Sequence, residues 1–164
     1  MTTRDTAESI RGLTIKQPWA FSIAEGFKTV ENRSRRTNYR SRLLIHAGQA
    51  FDTSVSIVRY SRDAARRFDQ FGGQANFWDA RELVPSRLFP LPTVSLAMSA
   101  VIATARLSGC HEAADDCCAP WGFPGYWHWE LADIQLLERA VPKAGALGLW
   151  KPDTELLTSI TAAA

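Results

Sequence analysis

The amino-acid sequence predicts a mixed α+β fold, a small β-barrel with helices packed at its openings. Three observations carry this prediction. Helical periodicity occurs in two segments of the first half, and five or six strand-like segments are spread over the chain. The strands and helices do not alternate regularly, as they would in a doubly wound sheet. With 164 residues, the chain has the length of one domain, which buries about two thirds of its unfolded surface.

The first half begins with a strand, a short helix and two further strands. The β-forming segment GLTI precedes Pro18, which suits the first turn of a helix because it has no N–H to leave unbonded there. We expect that helix over Trp19 to Glu25, ending at Gly26. The segments TVENR and RLLIHA then predict two strands, joined by the arginine-rich residues 34–41.

The second half supplies the remaining strands after a long connection. An apolar stripe predicts a helix over about 51–70, and the Gly/Pro-punctuated residues 72–97 are predicted to be an insertion. The segments MSAVIATARL, YWHWELADIQLL and GALGLW predict three strands. We therefore place the domain at 13–151, with a flexible N-terminus at 1–12 and a C-terminal tail at 152–164.

Charge and cysteine content narrow the class of protein. No apolar run approaches the roughly 18 residues of a membrane span, and residues 1–12 are polar, so we expect a cytoplasmic protein with no membrane partner. Three cysteines, two of them adjacent, favour reduced thiols. Residues 1–70 contain 13 Lys and Arg against 7 Asp and Glu, whereas residues 71–164 contain 6 against 10. Five arginines within ten positions predict either a positive field for a polyanion or a solvated turn; they are Arg33, Arg35, Arg36, Arg40 and Arg42.

Four segments in order resemble those of the ASCH family: IKQPWA, GFKTVENRS, LLIHAG, and HWELADIQLL followed by VPKAGALGLW. The resemblance runs from about Leu13 to Trp150 and implies a PUA-like β-barrel of the kind found in RNA-modification proteins. It also implies a cleft between the barrel and the first helix that takes a nucleobase or an RNA strand. The residues of the KQPW and GxKxxExR motifs that would line this cleft are Lys16, Gln17, Trp19, Lys28, Glu31 and Arg33.

Strand geometry supports the placement of two of these residues on the same face. Residues two apart share a face, so Glu31 and Arg33 should project together while Val30 turns toward the core. The alternatives are a purely structural ion pair for Glu31 and Arg33 and a core position for Trp19. His46, within an apolar strand, is expected to be a core histidine whose hydrogen bonds are satisfied.

The predicted function is binding of RNA, or of a modified nucleoside derived from it, in that cleft. Arg35 and Arg36 would hold phosphates. Trp121, in a Pro/Gly loop with no helical or strand reason to be buried, is a candidate platform for base stacking. A protein adaptor that uses the aromatic loop is a further alternative, and it would have no nucleic-acid affinity.

A small hydrolase acting on RNA or on an acylated nucleoside is the main alternative. Some ASCH proteins remove an acetyl group from cytidine and carry a motif similar to G-x-K-T-x-T-x-R, with the second threonine as nucleophile. Here GFKTVENR keeps Lys28 and Arg33 but has Glu31 in place of that threonine, and a carboxylate is a poor substitute for an alkoxide in amide hydrolysis. Lys28 and Glu31 are therefore the predicted catalytic pair, as general acid and base.

No resident cofactor is predicted, and a divalent metal is left open. A metal-assisted ribonuclease would need clustered carboxylates, and the available ones are Glu31, Glu112, Asp115 and Asp116. The segment CHEAADDCC also offers metal-ligand types, namely Cys110, His111, Cys117 and Cys118. Their spacing matches no common structural-zinc pattern, and adjacent cysteines are not expected to share one ion, so no metal ligands are predicted.

Overall fold

The computed structural model of the chain describes residues 10–52, 97–119 and 121–164, and the α+β class is confirmed there. The strands are β1 (Arg11–Gln17), β2 (Val30–Arg33), β3 (Arg42–Phe51), β4 (Ala100–Glu112), β5 (Trp127–Pro142) and β6 (Leu149–Trp150). The helices are α1 (Trp19–Ala24) and α2 (Thr154–Thr161). Each strand expected within these residues is present.

The strands form one six-stranded mixed sheet in the order β2-β5-β4-β3-β1-β6. The β1/β3 pair is parallel and the other four pairs are antiparallel. Over the described residues β2 and β6 are the two edges and do not pair with each other, so the predicted closed barrel is not confirmed. The sheet is open, and its opening is where the candidate site lies.

Two apolar cores lie on opposite faces of the sheet. Because successive side chains of a strand point to opposite faces, Leu43 and Ile45 of β3 belong to the core that includes α1, whereas Leu44 belongs to the core that includes α2. The α1 core is the larger and continues into β5 through Trp129 and Leu131. Helix α1 contacts β1, β3, β4 and β5, so it packs across one face of the sheet.

Helix α1 follows β1 through Pro18, which takes the N-cap position after a cis peptide bond. Proline has no side-chain acceptor for the helix N–H groups, and Gln17 supplies one instead: its Oε1 accepts from the backbone N–H of Phe21 at 2.9 Å. Ala20, Phe21 and Ile23 are buried. Gly26, with φ +78°, ends the helix region as predicted.

Residues 152–164, expected to be a tail, carry helix α2. Asp153 caps it, because its side chain accepts a hydrogen bond from the backbone N–H of Leu156 at 2.8 Å. Leu156 and Ile160 are buried against β3, β4 and β5 in the second core. The C-terminal residues are therefore part of the folded domain.

Three sequence predictions fall largely outside the described residues. The helix expected at 51–70 does not begin at its first residue, since Phe51 closes β3; the rest of it lies outside. The 72–97 insertion and residues 1–9 of the predicted N-terminus lie outside as well. In the part of the chain that is described, neither helix has the length and apolarity needed to cross a membrane.

Candidate functional site

The candidate site is a cleft at the seam between β1 and β2. Strand β6 pairs only with Gly12 and Leu13 of β1, so the following residue, Thr14, has no strand on that side. Arg33 of β2 spans the gap, because its Nη2 donates to the backbone carbonyl of Thr14 at 2.9 Å. A side chain therefore joins two strands that do not pair through their backbones.

This seam cleft has a volume of about 1000 Å³, which is large enough for a nucleoside. Its lining combines the later parts of β1 and β3, three residues of β2, the first residue of α1 and the segment after β5. Polar, charged and aromatic residues of this lining, together with one glycine, are Thr14, Lys16, Trp19, Glu31, Asn32, Arg33, His46, Gln49, Lys143 and Gly145.

Lys28 is a buried charge that lies behind the cleft. Only 2% of its side chain is exposed, and its Nζ donates to the backbone carbonyl of Val30 and to Glu31 Oε2, the latter at 2.7 Å. On the other side of that carboxylate, Glu31 Oε1 lies 3.4 Å from Arg33 Nε. Glu31 and Arg33 project together and Val30 is buried, so the expectation from strand geometry is confirmed.

Trp19 forms one wall of the cleft and is half-buried. Its Nε1 donates to Asp52 at 3.0 Å, and Lys28 Nζ lies 5.8 Å from the ring centroid. The exposed ring of Phe123 meets it edge to face with centroids 6.3 Å apart. These contacts hold the indole in place at the first turn of α1 while part of it faces the cleft.

His46 lies at the cleft with one ring nitrogen in use. Its Nε2 donates to the carbonyl of Lys143 at 2.7 Å, whereas the buried Nδ1 has no hydrogen-bond partner among the described residues. A β carbon on Gly145 would lie 2.8 Å from that Nδ1, so this loop can pass the imidazole only with glycine there. Burial lowers the pKa of His46, and its hydrogen bond to Lys143 opposes that effect in part. The sequence predicted a core histidine with its hydrogen bonds satisfied, and within the described residues only Nε2 has a partner.

Among the described residues, the lining of the cleft has more positive than negative charge. Three of these residues are cations, Lys16, Arg33 and Lys143, and one is a carboxylate, Glu31. Arg33 contacts Glu31, and Lys143 pairs with Asp153. Lys16 is exposed and has no ion-pair partner within the described ranges. A ligand that enters the cleft therefore meets a cation that is available for an anionic group.

Other predicted site residues lie away from the lining. Gln17 is 1% exposed, and both ends of its amide bind main-chain groups, so it supports α1 rather than facing the cleft. Arg35 and Arg36 are exposed on the segment after β2. Trp121 is half-buried, and its carbonyl accepts from the side chain of Asn32 at 2.8 Å.

The sequence did not predict that Asn32 and His46 line the cleft. Asn32 stands between the predicted Glu31 and Arg33, and its Oδ1 accepts from the backbone N–H of Phe123 at 2.8 Å. Strand parity gave no reason to select it, because it points away from its neighbours toward the β4–β5 loop. That loop is distant in sequence, and no motif could have signalled the contact.

A second group of functional side chains, the His/Cys cluster, gathers beside the cleft. It consists of His111, Cys117, Cys118 and His128, whose candidate ligand atoms all lie within 4.8 Å of one another. Cys117 and Cys118, which as adjacent cysteines were not expected to share one ion, both turn their thiols toward this group. Cys118 has φ +60°, and this left-handed conformation allows its side chain to turn to the same side as that of Cys117. Cys110, the third free thiol, is outside the cluster.

The ion pair between Lys28 and Glu31 predicts that replacing one partner lowers the stability of the fold more than replacing the other. Glu31→Gln leaves the Lys28 ammonium buried without a counter-charge, so we expect a loss of about 3 kcal/mol in the free energy of unfolding, near the lower end for a broken buried pair. Lys28→Met should cost clearly less, because Glu31 keeps Arg33. Urea unfolding of both variants and of the double variant measures this, and equal losses would contradict the assignment.

The lowered pKa of His46 predicts a pH-dependent contribution to stability. The unfolded chain takes up a proton near the ordinary value of 6.5, whereas the folded chain takes it up only at lower pH. The His46 contribution is therefore fully present above pH 6.5 and is lost as the pH falls toward the folded-state pKa. We expect wild-type protein to lose more stability than His46→Gln between about pH 7 and about pH 5 in urea titrations. Parallel pH profiles for the two proteins would be the contrary result.

Comparison with known families agrees with the geometry. A comparison with curated proteins finds no match. A family model described as ASCH domain matches residues 13–139, which include most of β1, all of β2 to β4, most of β5 and every β1, α1 and β2 residue of the seam cleft. The chain therefore belongs to the ASCH domain family.

Proposed function

We propose that this protein binds RNA, or a modified nucleoside derived from it, in the seam cleft, and does so in the cytoplasm. The observation that carries the proposal is the combination of size and lining: a cleft of about 1000 Å³ in which the described residues place three cations and one carboxylate beside a half-buried indole. Membership of the ASCH family, with its resemblance to PUA-like RNA-binding domains, supports the same ligand class.

The cleft offers the kinds of contact that a nucleobase uses. Single-stranded RNA is recognised by stacking on aromatic rings and by hydrogen bonds to exposed base edges. Trp19 supplies an indole that its contacts hold in place, and Gln49 supplies an exposed amide in the lining.

Phosphate contacts would come from the basic residues at the rim. Lys16 is exposed in the lining, and Arg35 and Arg36 are exposed on the segment that leaves β2 directly after Arg33. Since three residues span at most about 11 Å, both arginines lie close enough to the seam cleft to contact a strand that runs out of it. The partly exposed Arg33 continues this positive surface into the cleft.

Hydrolysis is a second candidate because Glu31 presents a carboxylate to the cleft. Lys28 is buried behind it and donates to it at 2.7 Å, so Lys28 would orient Glu31 rather than touch a substrate. In this mechanism Glu31 would act on water as a general base toward an acylated nucleoside or an RNA phosphodiester. It predicts products that disappear in the Glu31→Gln variant.

The RNA-binding proposal predicts that rim charges set the salt dependence of binding. Removing Arg35 and Arg36 together should weaken binding of a single-stranded RNA and reduce the slope of log K against log salt by about 0.7 for each lost phosphate contact. Arg139→Ala is the matched control, because Arg139 is an exposed cation that lines a different cavity next to α2. Fluorescence anisotropy over a salt series measures both quantities.

The outcomes separate the candidates. An unchanged slope in the double arginine variant would remove these residues from the interface, and no RNA binding at low salt would reject the proposal. Mass spectrometry of the same mixtures, and of mixtures with acetylated cytidine, tests hydrolysis. Intact substrates alongside salt-sensitive binding are the result expected for a binding protein.

A further inference from the structure

The His/Cys cluster lies where the β4–β5 hairpin opens into its loop. His111 of β4 and His128 of β5 are directly paired in the register of the two strands, with ring centroids 5.2 Å apart. Cys117 and Cys118 come from the loop between these strands and turn back toward the imidazoles. Two strand positions and one loop therefore bring four ligand-type side chains to one point.

The distances between these atoms match a tetrahedral zinc site. Cys117 Sγ lies 3.4 Å from His128 Nδ1 and 3.6 Å from His111 Nε2, and Cys118 Sγ lies 3.4 Å from His111 Nε2. With Zn–S near 2.3 Å and Zn–N near 2.05 Å, a tetrahedral site separates sulfur and nitrogen ligands by about 3.5 Å. Three of the six ligand-to-ligand distances therefore have the spacing that the ion requires, and all six are within 4.8 Å.

The second nitrogen of each histidine has an acceptor that fixes its tautomer. His111 Nδ1 lies 2.7 Å from Glu130 Oε1, and His128 Nε2 lies 2.9 Å from the carbonyl of Phe123. A neutral imidazole that donates from one nitrogen has its lone pair on the other, so both lone pairs face the cysteines. Such carboxylate and carbonyl partners are what metal-binding histidines normally have.

The backbone around the cluster is shaped to hold it. The N–H of Ala114 donates to Cys117 Sγ at 3.3 Å, a contact that holds this side chain within the loop. A β carbon on Gly122 would lie 2.5 Å from His128 Cε1 and 2.9 Å from the β carbon of Cys118, so the chain closes around the cluster only with glycine there. On β4, Gly109 leaves the space in which the Glu130 carboxylate lies.

We propose that His111, Cys117, Cys118 and His128 bind one Zn²⁺ ion as a structural site. Thiolate and imidazole ligands in a tetrahedral arrangement favour zinc, and two thiolates balance its charge. Four protein ligands fill the tetrahedral positions and leave none for a water molecule, which is the arrangement of structural rather than catalytic zinc.

The site would stabilise one wall of the seam cleft. The loop that carries the cysteines also holds Asn32, through the carbonyl of Trp121 and the N–H of Phe123, each at 2.8 Å. Asn32 lines the cleft, and Phe123 contacts the indole of Trp19. Zinc would thus position residues of the cleft without contacting a ligand, and the metal site stands whether or not RNA is that ligand.

Metal analysis of the full-length protein tests the proposal. We expect one equivalent of zinc in wild-type protein after reconstitution and dialysis, and the same in Cys110→Ser, which removes the thiol outside the cluster. Cys117→Ser and Cys118→Ser should each lose tightly bound zinc. With Co²⁺ as a probe, wild-type protein should show the thiolate-to-cobalt charge-transfer band and the intense visible bands of tetrahedral cobalt.

A Glu130 variant tests whether the carboxylate that contacts His111 contributes to zinc binding, without removing any of the four ligands. Glu130→Gln should weaken zinc binding by about 10- to 100-fold, whereas Glu112→Gln, an exposed carboxylate on β4, should not. Wild-type protein that takes up neither zinc nor cobalt, or binds them equally well without Cys117 or Cys118, would overturn the proposal. The cluster would then be a set of thiol–imidazole hydrogen bonds. The cobalt titration of wild-type protein decides the matter even if a cysteine variant fails to fold.

Discussion

The buried ammonium of Lys28 is the constraint on which the site depends. A charge with 2% exposure requires a counter-charge and hydrogen-bond acceptors close by, and Glu31 and the carbonyl of Val30 supply them. These contacts hold the side chain of Lys28 to the start of β2, and the backbone N–H of Lys28 donates to the carbonyl of Ser22 in α1 at 2.9 Å. Once Glu31 is held there, strand geometry brings Arg33 to the same face, where it reaches across to Thr14 of β1.

The cleft exists because β1 and β2 are joined by the side chain of Arg33 instead of by backbone pairing. Two strands that paired along the seam would fill it with hydrogen bonds, whereas a single Arg33 bridge leaves room beside it for a cavity of about 1000 Å³. The opposite wall relies on Asn32, which the β4–β5 loop holds by two hydrogen bonds. The ion pair and the His/Cys cluster thus support the same cleft from two directions.

The sequence predicted the parts of this arrangement that depend on local periodicity. Strand alternation correctly placed Glu31, Arg33 and Val30, and the strands expected within the described residues are all present. It could not predict contacts set by backbone conformation or by distant segments. Nothing in the spacing shows that Cys118 adopts a positive φ, or that Gly145 passes over His46. Gln17 belongs to the ligand motif by type, yet its amide serves the helix and the backbone near β4.

Photo-crosslinking would test whether RNA enters the seam cleft. A single-stranded RNA that contains 4-thiouridine would be irradiated with the protein, and the crosslinked peptides identified by mass spectrometry. We expect crosslinks on the cleft lining, at Lys16 or Trp19 or within residues 143–148. Crosslinks confined to the surface around Arg139 and α2, on the other cavity, would contradict it.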